Sequence, residues 1–503
     1  MADAPLPDGS TLAALDLGSN SFHLVLARKI KGEISLLKRL GEKVQLAAGL
    51  DECGNLNEEA QLRGLECLKR MAPFVQGLNE NQVRVVGTNA LRAAHNSDDF
   101  ISRAQDLLGL PIEVIAGREE ARLIYSGVVH TSPKIEGRRL VIDIGGGSTE
   151  FIIGEGKEPE LLESLHMGCV SYSQRFFPQG QFTEKGYQQA RLAALSELLH
   201  IQKAFLGLGW QQVLGSSGTL KTLALVIGKG EFAPLTPQSL RSLEKDLFNS
   251  KSTQSWTAYG MKEDRARVMP AGLAIASAFF EALQIKEMHF ADAALREGLL
   301  YELAGTSTEL DIRDRTINSL QERFQCDPLQ SKNVADTAIH ALRQVASNWG
   351  LAHPRWENKL RWAAQVHELG LSVAHTQYHK HGAYLLNYAD LAGFTRQQQQ
   401  ILAVLVRTHR RKFPSLEFRK FSPEHQLKLQ RLARLLRLAV LLNHSRPDQT
   451  QLDFTLEVNN TNSQETLALR FPDGWLEQQP LLLTDLAQEA SWQAAAGFEL
   501  TYA

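Results

Sequence analysis

One short pattern occurs twice in this chain, and it constrains the fold more than any other feature. The first copy, LAALDLGSNSFHLVLA, occupies 12–27, and the second, RRLVIDIGGGSTEFIIG, occupies 138–154. Each reads as an apolar strand, then Asp-x-Gly, then a tight turn of small polar residues, then a second apolar strand. Glycine lets a backbone turn with positive φ and come close to a ligand. A Gly/Ser turn exposes consecutive N–H groups that form an anion-binding nest. A carboxylate at the strand end would repel a bare phosphate, so Asp16 and Asp143 suit holding a cation or orienting a water. Either copy alone is satisfied by an ordinary hairpin with a glycine-rich turn. Two copies with Asp in register point to two related domains facing a cleft.

The surrounding pattern fits. Strands over 12–50, a helix over 57–77, a strand at 83–88, the amphipathic DDFISRAQDLLG ending at Gly109, a strand at 112–116 and a helix from Glu119 make an α/β domain. The second half repeats it, with strands at 139–144, 150–154, 160–165 and 212–214, a helix over 184–206, and a helix–strand–helix return over 270–304. Beyond about 310 the pattern is helical, and LDFTLEVNN with ETLALRFP predicts a small hairpin near the end.

Composition excludes several classes. At 503 residues, several domains are expected. The formal net charge of −2 gives no global drive toward nucleic acid. Cys53, Cys67, Cys169 and Cys326 form no CxxC pair, so neither a zinc site nor a disulfide framework is implied, and a reducing cytoplasm is the natural compartment. MADAPLPDGS has no basic or apolar leader region, and no apolar run reaches the roughly 20 residues of a membrane span. Peripheral attachment to the inner face of the cell membrane stays open. There is no GxxxxGK[ST] sequence, so P-loop chemistry is not indicated.

Several residues are placed for phosphate chemistry. Asp143 and Glu150 flank the second glycine loop, one ending a strand and one starting the next, so both could face one phosphate and share a Mg2+. Ser19, Asn20, Gly145, Gly146, Gly147 and Ser148 supply backbone, hydroxyl and amide donors. Arg92 follows a strand and a Thr-Asn turn, and its guanidinium fork suits paired phosphate oxygens. GSSGT, with Gly215 and Ser217, follows the strand QVLG and is expected to border the cleft. Glu119 and Glu120 both open a helix after IEVIAG. Hydrolysis of a phosphoanhydride needs one acid to activate water, while first-turn acids also complement the helix dipole. Position alone leaves the choice between them open.

DLGSNSFH (16–23), GTNALR (87–92), GREEARLIYSGV (117–128), DIGGGSTE (143–150), MGCVS (167–171), GSSGT (215–219) and ALREGLLYE (294–302) occur in one order. Together they resemble the exopolyphosphatase/guanosine pentaphosphate phosphohydrolase family of the actin-like ATPase and sugar-kinase superfamily, along nearly the whole chain. The resemblance implies two actin-like, ribonuclease H-like α/β domains (1–130 and 131–308), an HD-like helical domain (309–450) and a small C-terminal α+β subdomain (451–503). It also implies Glu120 as general base, Mg2+ as cofactor with a monovalent cation such as K+ as a further candidate, and a homodimer. VHELGLSV at 366–373 resembles the ligand helix of HD phosphohydrolases, with Glu368 where Asp is usual. His340, His353, His367, His375, His379 and His381 surround it in sequence, but the family's helical domain is a degenerate form without the working metal site.

From 407 to 446 the chain is locally basic. Arg407, Arg410, Arg411 and Lys412 lead a run that continues through Arg419, Lys420, Lys428, Arg431, Arg434, Arg437 and Arg446, opposed by Glu417 and Glu424. A solvated helix face over a leucine-rich buried side accounts for it. So does an electrostatic track for a long polyanion. The track reading favours an exopolyphosphatase that removes terminal orthophosphate from inorganic polyphosphate. The alternatives are a guanosine pentaphosphate 5′-phosphohydrolase, an actin-like ATPase or sugar kinase, and a non-catalytic regulator that binds polyphosphate.

Overall fold

The duplication read from the sequence is the architecture. The structure, a computed structural model, describes residues 6–30, 33–51, 53–133, 135–305, 312–389, 391, 394, 396–446, 453–461 and 464–503. Contacts divide the chain into two compact units, 4–308 and 309–503.

The first unit holds two five-stranded sheets. The first contains β1 (Thr11–Leu17), β2 (Ser21–Ile30), β3 (Glu33–Lys43), β4 (Val83–Gly87) and β5 (Ile112–Val114), ordered β3-β2-β1-β4-β5. The second contains β6 (Arg138–Ile144), β7 (Thr149–Glu155), β8 (Glu158–Leu165), β9 (Gln212–Ser216) and β10 (His289–Phe290), ordered β8-β7-β6-β9-β10. The two orders are the same. In each sheet the first three strands form an antiparallel meander, and the fourth and fifth add in parallel through helical crossovers. β1 and β6 are buried almost along their length, as central strands covered on both faces must be.

One apolar core is shared between the sheets. Leu12, Val25 and Val86 of the first sheet cluster with Val141, Ile152 and Leu214 of the second. Between them lie the helices Gly117–Thr131 and Leu295–Leu303, which contribute Ile124, Val128, Leu299 and Leu300. These two helices cross at backbone distance. A Cβ on Gly298 would lie 1.9 Å from the Leu123 carbonyl oxygen, and one on Gly127 would lie 2.2 Å from the Ala294 carbonyl oxygen. The helix Leu295–Leu303 also packs on β1, so the chain returns to the first sheet before leaving the unit.

The second unit is helical. Long helices such as Pro328–Trp349 and Pro423–Leu442 enclose a core of leucines, alanines and tryptophans, including Trp349, Trp356 and Trp362. The expected terminal hairpin is present as β11 (Thr455–Thr461) and β12 (Gln464–Arg470), and β13 (Glu499–Tyr502) joins it in parallel.

Among the described residues, no helix is long and apolar enough to cross a membrane.

Candidate active site

The two glycine loops meet. An ideal Cβ on Gly146 would lie 3.1 Å from the Ser19 Cβ and 3.5 Å from the Asn20 nitrogen. One on Gly147 would lie 2.1 Å from Asn89 Oδ1. Any side chain there would press on the facing turn and on Asn89. Each loop turns its carbonyls away. Ser19 O accepts from Ala47 N (3.0 Å), and Asn20 O accepts from Val44 N (3.1 Å) and Gln45 N (2.8 Å). Gly145 O accepts from Cys169 N (3.0 Å), and Gly146 O from Val170 N (2.9 Å). In a trans peptide the N–H of the next residue points opposite to the carbonyl. Anchoring these carbonyls therefore presents the N–H groups of Asn20, Ser21, Gly146 and Gly147 on the other side. That side is a cleft of about 160 Å³, lined by Ser19, Asn20 and Gly145–Ser148. Ser19 Oγ is buried with no hydrogen-bond partner, a donor left over for a ligand.

Carboxylates surround the same space. Asp143 and Glu150 are direct cross-strand partners of β6 and β7, so their side chains lie on one face. Asp16, Glu120 and Asp143 line the cleft. Glu150 stands behind the loop, its Oε2 3.9 Å from where a Gly145 Cβ would be, and Ser164 Oγ donates to its Oε1 at 2.9 Å. Burial pushes Asp16 up to about 7, with Glu120 and Asp143 adding to the rise against the opposing charge of Arg296. Burial likewise pushes Asp143 up to about 6, aided by Glu120 and opposed by a Ser216 hydrogen bond and Arg296. Glu120 is raised by burial and restrained by Arg92. Glu150 is raised well above the usual range by burial, Glu120 and Asp143. Four buried carboxyls, three of them raised further by the charge of Glu120, are what a cation or a shared proton would relieve. Among the described residues, no group of three or more His, Cys, Asp or Glu is arranged to hold a metal by itself. Two carboxylates fit Mg2+ when substrate phosphates and water complete the shell, since that ion keeps several waters and needs few protein ligands.

The two adjacent glutamates separate cleanly. Glu119 is buried and receives a bidentate bond from Arg122 (2.8 and 2.7 Å), so it serves the ion-pair network that includes Glu302. Glu120, one residue on, faces the cleft and is bonded by Arg92 at 3.3 Å. Two expectations change. Arg92, read as a phosphate fork, is pinned on the Ile115 carbonyl (2.7 Å) and Glu120, so it holds the acid in place. Gly215, read as bordering the cleft, is a packing glycine: a Cβ there would lie 2.6 Å from Met288 Sδ and 2.9 Å from Leu220 Cδ1. Ser217 does line the cleft, with φ of 89°, a left-handed conformation unusual for serine.

Sequence reasoning missed His23, Arg265 and Arg296 on the cleft wall. His23 and Arg296 lie inside the motifs quoted above and could have been found there. Arg265 carries no local signal. It arrives from a distant 3-10 turn and lies against Gly218, where a Cβ would meet its guanidinium at 2.0 Å.

In the helical unit, His367 and His409 are buried with ring centroids 5.5 Å apart. His379 lies 6.2 Å from His409. Arg446 bonds Glu368 at 2.6 Å. His353 caps a helix and His340 packs on Phe454. The basic run is also divided. Arg434 and Arg437 are buried, and Arg437 is bidentate to Glu489 (2.6 Å each) while donating to the Thr408 and Arg411 carbonyls. Arg431 and Arg434 share Glu465. Arg411 and Lys412 are exposed, as are Arg419, Lys420 and Arg446 further on, whereas Arg407 and Arg410 are half-buried and Arg407 pairs with Glu417 at 3.3 Å. Arg407, Arg410, Arg411 and Lys412 line a cavity of about 500 Å³ with His379 and Lys380 and no acidic side chain.

Two α/β halves that close glycine loops and carboxylates around a small polar cleft define a phosphate-handling enzyme. The chain belongs to the Ppx/GppA phosphatase family: that family's model matches residues 25–307, and the model of Ppx/GppA phosphatase domain III matches 312–490. It is 39% identical over 498 residues to a guanosine-5′-triphosphate,3′-diphosphate pyrophosphatase of Photobacterium profundum, covering 98% of each chain. It is 40% identical over 492 residues to the protein of the same name from Vibrio vulnificus, covering 97% of each. Among solved structures, an exopolyphosphatase from Cytophaga hutchinsonii is similar with TM-score 0.54 at 26% identity, over 59% of this chain and 99% of that one. The Aquifex aeolicus PPX-GPPA enzyme is similar with TM-score 0.50 at 28% identity, over 58% and 99%.

Two outcomes follow from the site. Glu120→Gln should lower turnover roughly 10²–10⁴-fold with substrate binding retained. Glu119→Gln should instead lower thermal stability, since it takes from the buried Arg122 its bidentate carboxylate and leaves only the pair with Glu302. The reverse pattern in phosphate-release and unfolding assays would move the base by one residue. The second outcome is a pH effect. A carboxyl raised in the fold binds its proton more tightly folded than unfolded. Its contribution is complete below the ordinary value of 3.8 and is lost as pH rises through about 6 for Asp143 and about 7 for Asp16. Without divalent cation, the melting temperature should fall between about pH 4 and pH 7, and Asp16→Asn and Asp143→Asn should flatten that fall. An unchanged slope in both variants would show that these groups are not strained.

Proposed function

We propose that the cleft hydrolyses the terminal phosphoanhydride of the 5′-triphosphate of guanosine 5′-triphosphate 3′-diphosphate, releasing orthophosphate. The observation that carries this is the pair of relatives with that substrate in their names, each aligned along nearly the full length of both chains. They reverse the order of preference that the basic run suggests from sequence. Glu120 receives the proton of the attacking water, and Arg92 keeps its carboxylate aimed at the cleft. The N–H groups of the two loops bind the oxygens of the phosphoryl group being transferred, where negative charge is spread in the transition state. Asp143 and Glu150 would hold Mg2+, which supplies charge neutralisation on the phosphate oxygens.

One observation favours a second reading, hydrolysis of inorganic polyphosphate. The acid-free cavity at Arg407, Arg410, Arg411 and Lys412 is suited to a polyanion. Phosphate release from the guanosine substrate and from long-chain polyphosphate, measured side by side, decides between them. The expected result is a kcat/KM for the nucleotide at least about tenfold above that for polyphosphate, a difference of about 1.4 kcal/mol in transition-state binding. Neutralising Arg410, Arg411 and Lys412 together should then leave nucleotide turnover unchanged. A higher kcat/KM for polyphosphate, with a loss confined to long chains in the triple variant, would overturn the first reading in favour of the second.

A further inference from the structure

The duplication has diverged along one row of the cleft. In the second half, three cross-strand neighbours form a row: Asp143 on β6, Glu150 on β7 and Ser164 on β8. The corresponding row in the first half is Asp16 on β1, His23 on β2 and Gly41 on β3. His23 therefore stands where the other half has a glutamate. The third position matches the second in each row. Ser164 Oγ donates to Glu150, whereas Gly41 leaves space for a ring. A Cβ on Gly41 would lie 2.8 Å from His23 Cδ2 and 3.2 Å from its Nε2, so the Cδ2–Nε2 edge of the imidazole faces β3 at Gly41. That placement turns the opposite edge of the ring toward the strand-end acid. Nδ1 is 4.0 Å from Asp16 Oδ2, buried, and without a hydrogen-bond partner. An orphaned buried nitrogen is destabilising and calls for a compensating contact.

We propose that His23 is the positioning residue of Asp16, its Nδ1–H donating to the Asp16 carboxylate so that this acid is held toward the phosphate in the cleft. The contact requires the Asp16 side chain to rotate so that the 4.0 Å separation shortens to hydrogen-bond distance. The neutral ring is supported by its surroundings: burial, Arg296 and Arg265 push His23 down to about 3. The two halves then divide the work. The Asp143–Glu150 pair is all acid and suits a cation, whereas the Asp16–His23 pair is an acid fixed by a neutral donor and adds no second charge. The same logic orients ligating and catalytic side chains in many enzymes, through a partner that never touches the substrate.

This inference rests on the cleft being the site of phosphoanhydride hydrolysis. Its test uses whichever of the two substrates the wild-type protein turns over, so absence of any turnover would reject that reading and not this one. Asparagine places an N–H donor near the position of Nδ1, and glutamine places one near Nε2. His23→Asn should keep kcat close to wild type, and His23→Gln should lose roughly 10–10²-fold in kcat with KM nearly unchanged. In an Asp16→Asn background the difference between the two should disappear. Equal losses in His23→Asn and His23→Gln, or a difference that persists in the Asp16→Asn background, would overturn the proposal and leave His23 as packing on Gly41 or as a direct substrate contact. If the variants do not fold, the 15N spectrum of the wild-type histidines reads the same contact: a protonated His23 Nδ1 whose proton moves downfield on adding orthophosphate supports it, and an unprotonated Nδ1 overturns it.

Discussion

The near-contact of Ser19 and Asn20 with Gly146 is the constraint on which the site depends. Two sheets of identical strand order place equivalent turns opposite each other, and the absence of a side chain on Gly146 allows those turns to close to van der Waals distance. That closeness gathers amides from both halves around one small volume, with their carbonyls anchored elsewhere. The shared core beneath it, built on the helices Gly117–Thr131 and Leu295–Leu303, keeps the halves in this register. Because those helices touch through Gly127 and Gly298, Glu120 in the first turn of one is fixed relative to both loops.

The same closeness has an electrostatic cost. Asp16, Glu120, Asp143 and Glu150 are buried within each other's influence, and each is held above its ordinary range. A stable core would not choose this arrangement, since buried like charges destabilise. It is the arrangement a phosphate enzyme uses, where a cation and the substrate itself complete the charge balance. The positive charges nearby are placed with restraint. Arg92 is committed to Glu120 and Arg122 to Glu119, which leaves Arg265 and Arg296 as cations on the cleft wall.

Much of this was legible in the sequence, because the strongest signals were local. The Asp-x-Gly turns, the period-two strands and the change to helical periodicity after 310 each follow from short-range rules, and the sheets, both loops and the terminal hairpin follow them. What the sequence did not disclose was which polar residues spend their charge on other protein groups. Arg92 and Arg434 look like free cations in a linear reading, but folding brings Ile115 and Glu120 to one, and Gln493 and Glu465 to the other. Gly215 shows the same limit for glycine, since its neighbour Met288 is distant in sequence. Arg265 reached the cleft wall only through tertiary packing.

The central claim is that the loops 18–21 and 145–148 form one phosphate site. Amide hydrogen exchange of the intact protein with and without a non-hydrolysable triphosphate analogue of the guanosine substrate, in the presence of Mg2+, tests it most directly. The account predicts that both loops gain protection together and to a similar degree. Protection of one loop alone, or of neither while the helical unit responds, would contradict it.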